Sequence, residues 1–258
     1  MITEKIGIIG TGHLGLSIIQ KLLEKGYNKN NLLLTHKNNP KTIKKLKQLK
    51  LTENITTNQI LINNSDILIL TIPPQNFHEL DKLIFEKSKI IISFMASITN
   101  KQIQEQTKQK KIIRVLPTGP DTILNETAIA GLYPPNKKVE QLLKTLKIEY
   151  YPIQNDTEMN IMTIAACLPA AYSIINPQEK ENKKAIQKFA KQFKYLPEIS
   201  LKAEKIVPET NQEEYIKKMS TPGGITEEIV NSLKQNDSLY IALEKGLRRV
   251  ETLQNDMK

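Results

Sequence analysis

Short apolar runs of strand length alternate with segments of helical period along the first three-fifths of the chain. Ile6–Ile9 is a continuous apolar run, and after it Leu16, Ile19, Leu22 and Leu23 recur on one helical face, with Gly26 suited to the C-terminal cap. Asn31–Thr35 (NLLLT) predicts a second strand. Ile43, Leu46 and Leu49 give helical spacing across 41–51. A short third strand near 55–57 and a small helix near 59–63 are expected next. Three apolar runs follow, each ending in turn residues: 66–74 (DILILTIPP), 89–97 (KIIISFMAS) and 111–120 (KIIRVLPTGP). Helical segments near 75–86 and 99–109 separate them. Residues 126–133 (ETAIAGLY) and 148–153 (IEYYPI) add two strands around a helix at 137–146. Strands alternating with helices predict a parallel sheet with right-handed crossovers.

Beyond Thr157 the strand signals fade. Glu158–Ile175 is apolar on most sides, as in a buried or interface helix, and the rest reads as helical. The expected organisation is α/β: a Rossmann-type dinucleotide-binding domain over 1–156, then an all-α dimerisation and substrate domain over 157–258.

The turn after the first strand is Gly10-Thr11-Gly12-His13-Leu14-Gly15. Strand, glycine turn and helix in that order are what a dinucleotide pyrophosphate requires. Gly10 permits the tight turn, Gly12 lets backbone approach the phosphates, and Gly15 lets the helix pack close to the strand. The plainer alternative is a strand–helix turn with chance glycines. The second strand ends in Thr35-His36-Lys37-Asn38 with Lys41 close behind, and no Asp or Glu occurs from Lys25 through Thr52. A carboxylate there would hydrogen-bond the ribose of NAD, whereas a lysine and a hydroxyl suit a 2′-phosphate, which favours NADP. The alternative is that Lys37 and Lys41 merely coat a helix start. Topology also places the turns at 71–74, 95–97 and 116–120 beyond the carboxyl ends of their strands, on the rim that carries Gly10–Gly15.

Composition narrows the class without changing this picture. Hydrophobic residues make up 39% and charged residues 25%, as in a soluble globular protein. A single cysteine, Cys167, excludes an internal disulfide and fits a reducing compartment. No apolar stretch reaches the ~20 residues of a membrane span, and the chain enters its first strand at once, so no signal peptide and no membrane association are expected. The cytoplasm is the expected location. The net charge of +10 comes from lysines spread over helical surfaces without interleaved aromatics, so nucleic acid is not an expected partner. His13, His36 and His78 share no metal-ligand spacing with one another or with Cys167, and no metal is expected. Cys167 reads as a small buried hydrophobe and Arg114 as a tie between a strand and a neighbouring loop.

Several motifs, in order, resemble the pyrroline-5-carboxylate reductase family. Besides the glycine turn, Asp66–Gln75 (DILILTIPPQ) is similar to that family's fourth-strand motif, and Ile92–Ser97 (ISFMAS) to its Ser-x-x-Ala-Gly turn. Arg114–Pro120 (RVLPTGP) resembles Arg-Val-Met-Pro-Asn-Thr-Pro. Ser220–Thr226 (STPGGIT) resembles its most specific signature, Ser-Pro-Gly-Gly-x-Thr, and Ala242, Glu244 and Arg249 follow the family's tail. The resemblance implies reduction of 1-pyrroline-5-carboxylate, or a similar small cyclic imine, to proline with hydride from NADPH. It puts cofactor contacts on Gly10, Thr11, Gly12, His13, Leu14, Gly15, His36, Lys37, Ile72, Pro73, Pro74 and Ala96. Thr226 and Thr221 become the catalytic residues. Thr226 would face the ring nitrogen, and Thr221, Gly223 and Gly224 would receive the substrate carboxylate. On its own residues, Thr226 is equally well read as an N-cap of the helix that follows. The family's helical domain implies a homodimer or higher homo-oligomer with sites completed across the subunit interface.

The chain departs from the pattern at three places. Ala166-Cys167-Leu168 stands for Gly-Ser-Gly, making that surface bulkier and more apolar; Pro73 stands for a lysine and Thr118 for an asparagine. Two alternatives therefore stand beside the reductase: a cofactor-binding regulatory protein of the same fold without catalysis, and another small-substrate NADP-dependent dehydrogenase. Against the second, no lysine falls in a Gly-x-x-x-Lys helix setting near 165–180.

Overall fold

The computed structural model describes residues 3–86 and 88–255. A seven-stranded sheet runs in the order β2-β1-β3-β4-β5-β6-β7. Its strands are β1 (Ile6–Ile9), β2 (Leu32–Thr35), β3 (Ile67–Leu70), β4 (Ile90–Ser93), β5 (Lys111–Pro117), β6 (Ile129–Tyr133) and β7 (Glu149–Pro152). The first five are parallel, and burial on both faces accounts for their near-continuous apolar runs. β6 instead runs antiparallel to β5, and β7 is parallel to β6. The link from β5 to β6 holds only the five-residue helix α5 (Pro120–Leu124), too little for a parallel crossover, so the chain turns back. The parallel sheet expected from alternating strands and helices thus holds through β5, and the reversal begins at β6.

Around the sheet lie α1 (His13–Glu24), α2 (Pro40–Gln48), α3 (Asn58–Asn64), α4 (Asn100–Thr107) and α6 (Lys137–Thr145). The buried face of α1 is Gly15, Ile18, Ile19 and Leu22, with Leu16 and Leu23 half-buried at its rim, a rotation from the expected stripe. Gly26, at φ +80°, ends the helix: its N–H donates to the Leu23 carbonyl and Tyr27 N–H to that of Leu22. The expected strand near 55–57 is a single bridge from Leu34 to Ile55, because a 3-10 turn at Thr52–Asn54 precedes it and Thr57 already caps α3. The motif expected on a fourth strand therefore lies on β3. The helix expected near 75–86 is a 3-10 turn, Pro74–Leu80, that buries only Phe77 and Leu80.

The second half is helical: α7 (Asp156–Ala165), α8 (Leu168–Tyr172), α9 (Lys180–Ala190), α10 (Leu196–Ile206), α11 (Gln212–Met219), α12 (Ile225–Lys234) and α13 (Leu239–Asn255). The single helix expected over 158–175 is broken between Ala165 and Leu168, since Pro169 has no N–H for the Ala165 carbonyl. One apolar core runs from Leu116, Ile129 and Tyr151 of the sheet into α7, α8, α12 and α13, so the helices are seated on the sheet's end. Gly131 allows this, since a Cβ there would meet Met162 Cγ at 2.7 Å.

Arg114 fastens the same joint. It lies on β5, 1% exposed, with Nη1 3.3 Å from Asp156 Oδ1 at the start of α7. Burial pulls its guanidinium down to about 10, and the charge of Asp156 opposes that shift. Asp156→Asn is expected to lower stability by about 1–2 kcal/mol, less than a fully buried pair would cost because the carboxylate faces water. Urea denaturation would measure it, and adding Arg114→Met should restore part of the loss.

Candidate functional site

Order reverses at β1, with β2 on one side and β3 on the other, and the glycine turn leaves β1 at that point. In open α/β sheets this is where ligands bind. Gly10 adopts φ +98°, and a Cβ on it would meet Ile72 Cγ2 at 2.7 Å. The Thr11 hydroxyl and N–H both donate to the Thr35 carbonyl at 2.9 Å, pinning the turn to the end of β2. Gly15 packs underneath, where a Cβ would lie 2.6 Å from the Gly10 carbonyl oxygen. Over Gly12 there is open space: a Cβ there would meet nothing within 4 Å. Gly12 caps α1, the first α1 bond runs from Leu16 N–H to its carbonyl, and no acidic residue stands in the first turn. The leading N–H groups of α1 thus face an approachable, anion-favouring surface, as a pyrophosphate needs.

A cleft of about 570 Å³ extends both ways from this turn. At one end His36, Lys37, Asn39 and Thr42 line it. Asn39 Oδ1 accepts from the N–H groups of Lys41 and Thr42 at 2.9 and 3.4 Å, so α2 starts at Pro40 and turns its own N-terminus toward this end. Lys37 Nζ is ion-paired with Glu79. Lys41 lies outside the lining.

At the other end Ile72, Pro73, Pro74, Met95, Ala96 and Leu116–Pro120 form the sheet's rim, opposite Thr163, Ala166, Cys167, Thr221, Gly224, Ile225 and Thr226 from the helices. Of the residues that the resemblance assigned to cofactor or substrate, all but two line this one cleft. Gly15 is the packing glycine beneath it. Gly223 faces away: its N–H donates to Glu227 Oε2 at 2.7 Å and its carbonyl accepts from Arg249 Nε and Nη2 at 2.9 and 2.6 Å. Gly224 N–H donates to the Thr221 carbonyl at 2.8 Å. Thr226 does not cap α12; Gly224 does, without a side-chain bond, and Thr226 is the second residue of the helix. Its hydroxyl donates to Cys167 Sγ at 3.3 Å, and that thiol donates to the Thr163 carbonyl at 3.4 Å. Burial pushes the Cys167 thiol up to about 11, so it stays protonated. Leu168, expected to add bulk to the site, is instead buried in the helical core.

The remaining expectations fall into place around the cleft. His13 Nε2 lies 2.8 Å from Asp121 Oδ1, across from the turn. Thr118 is buried, with its hydroxyl committed to Ile129 N–H and Thr122 Oγ1 at 3.2 Å each. Asn39, Thr42, Thr163, Lys218, Met219 and Leu253 also line the cleft. Only Asn39-Pro40, a cap followed by a first-turn proline, carried a local signal for any of these. No group of three or more His, Cys, Asp or Glu capable of holding a metal occurs among the described residues. No helix among them is long and apolar enough to cross a membrane.

Known proteins match this architecture. The family model described as "NADP oxidoreductase coenzyme F420-dependent" matches residues 5–97, the span that carries the glycine turn and the rim at Ala96. Pyrroline-5-carboxylate reductase 1 of Bacillus spizizenii is 25% identical, over 99% of this chain and 91% of its own. The resemblance to the pyrroline-5-carboxylate reductase family holds over nearly the whole chain. Among solved structures, the pyrroline carboxylate reductase of Plasmodium falciparum with NADP bound superposes with a TM-score of 0.60 at 17% identity, over 100% of both chains. The 1-pyrroline-5-carboxylate reductase of Streptococcus pyogenes gives a TM-score of 0.58 at 19% identity, over 98% of each. These pyrroline-5-carboxylate reductase structures share the α/β fold and the helical second half with this chain.

Proposed function

We propose that this chain is a pyridine-nucleotide-dependent reductase that converts 1-pyrroline-5-carboxylate, or a similar small cyclic imine, to the saturated amine with NADPH. The observation that carries the reading is that Thr226 lines the same cleft as the glycine turn. A bound nicotinamide would supply the hydride to the imine carbon. The residues of the chain then have modest tasks, because a protonated imine already accepts hydride and positioning it at about 3–3.5 Å supplies much of the acceleration. Thr226 orients the ring nitrogen, and Thr221 with the N–H groups that open α12 receives the carboxylate. The glycine turn holds the pyrophosphate, and Ile72, Pro73, Pro74 and Ala96 back the nicotinamide. In this reading 1–156 is the cofactor domain and 157–258 the dimerisation domain, of a homodimer or higher assembly in the cytoplasm.

Cofactor choice rests on Lys37, since no carboxylate follows β2. Lys37→Glu is expected to weaken NADPH at least about tenfold more than NADH, the difference of a charge-assisted contact reversed to repulsion. Fluorescence titration of each cofactor would read it, and equal losses would refute the 2′-phosphate assignment. The overall reading is tested by incubating purified protein with pyrroline-5-carboxylate and NADPH and following cofactor oxidation. Ala166 and Cys167, two of the altered family positions, line the cleft, which keeps the non-catalytic alternative specific. Tight NADPH binding without turnover would select it.

A further inference from the structure

The lysine assigned to the 2′-phosphate already has a partner within the chain. Lys37 follows β2, while Glu79 belongs to the 3-10 turn after β3, and these strands flank β1 on opposite sides. Their ion pair therefore straps the mouth of the cleft across the strand end from which the glycine turn departs. None of the residues lining the cleft is Asp or Glu, and Lys37 is one of its two lysines. Glu79 thus sets a carboxylate beside the His36–Lys37 end of a cleft whose own lining is acid-free, on the group a dianionic ligand would use.

We propose that Glu79 is a specificity-determining residue that tempers the preference for a phosphorylated dinucleotide. The inference rests on the cofactor reading above. A 2′-phosphate must take Lys37 from Glu79 and then sit near the displaced carboxylate, so part of its binding free energy is offset. An unphosphorylated ribose makes no demand on Lys37 and meets no such cost. Glu79 thereby narrows the gap between the two cofactors without touching the chemistry at Thr226. The pair is solvent-exposed on the lysine side, which limits its strength to that of a surface ion pair and lets it exchange readily.

Isothermal titration of the full chain with NADP⁺, NAD⁺ and adenosine 2′,5′-bisphosphate tests this, comparing the unaltered protein with Glu79→Gln, Lys37→Gln and the double variant. Glu79→Gln should tighten NADP⁺ and the bisphosphate about two- to fivefold and leave NAD⁺ within about 1.5-fold. In the Lys37→Gln background the gain should be smaller, because part of the effect of Glu79 runs through the lysine. An unchanged NADP⁺ affinity, an equal gain for NAD⁺, or a gain that persists in full without Lys37 would overturn the proposal while leaving the cofactor site intact. Failure of the unaltered chain to bind either dinucleotide would overturn both.

Discussion

Thr226→Ala is expected to lower kcat/KM for the imine by about 10- to 100-fold while NADPH affinity and stability stay near those of the unaltered chain. The size is that of one hydrogen bond to a charged group, about 1.5–3 kcal/mol. Its direction follows from the local bonding. The Thr163 carbonyl can only accept, so the Cys167 thiol donates to it and the sulfur is left to accept from Thr226. With its own proton turned toward sulfur, the Thr226 oxygen presents lone pairs, which match the N–H of a protonated imine better than a carbonyl oxygen. Little stability depends on the contact, because a thiol is a weak acceptor. Thr226→Val fills the same volume and should lose as much activity as alanine, whereas Thr226→Ser should retain most of it. Steady-state kinetics with saturating NADPH, beside a thermal melt, would decide it. Full activity in both the alanine and valine variants would remove Thr226 from the mechanism.

What could be read from the sequence divides by the range of the interactions concerned. The glycine turn was legible because every requirement is local: β1, the positive φ of Gly10 and the start of α1 lie within ten residues. The rim was legible from topology, since each βα turn must emerge at the same end of the sheet. The reversal at β6 was not, because a buried strand has the same apolar run whichever way it points, and only the shortness of the 118–128 link betrays it. Pro169 was in plain view as a helix breaker, yet the unbroken apolar stretch around it outweighed that signal. The resemblance put the substrate carboxylate on Gly223 and Gly224, but Glu227 and the Thr221 carbonyl bond their N–H groups, and both partners are three or four residues away. The pairs Lys37–Glu79 and Arg114–Asp156 join residues 42 apart in each case, with nothing local to announce them.

Gly12→Asp is expected to leave the fold at least as stable and to weaken dinucleotide binding by about 100-fold or more. Gly12 has the extended backbone of an N-cap, φ −76° and ψ −160°, which aspartate adopts without strain. Its side chain would gain a cap bond to the first turn of α1, worth roughly a few tenths of a kcal/mol over glycine. Nothing in the protein opposes the new atoms, since the space beyond the Cα is open. The only body that should occupy that space is the ligand. A carboxylate within about 4 Å of a pyrophosphate, at an effective dielectric near 20, costs about 4 kcal/mol per charge before screening. Gly15→Val makes the contrasting case, because its Cβ would already lie 2.6 Å from the Gly10 carbonyl oxygen and must disturb the turn itself. That variant should lose stability and binding together, whereas Gly12→Asp should lose binding alone. Thermal melts with and without NADPH separate the two outcomes in one experiment. A Gly12→Asp protein still stabilised by NADPH would mean that the pyrophosphate does not lie over this turn.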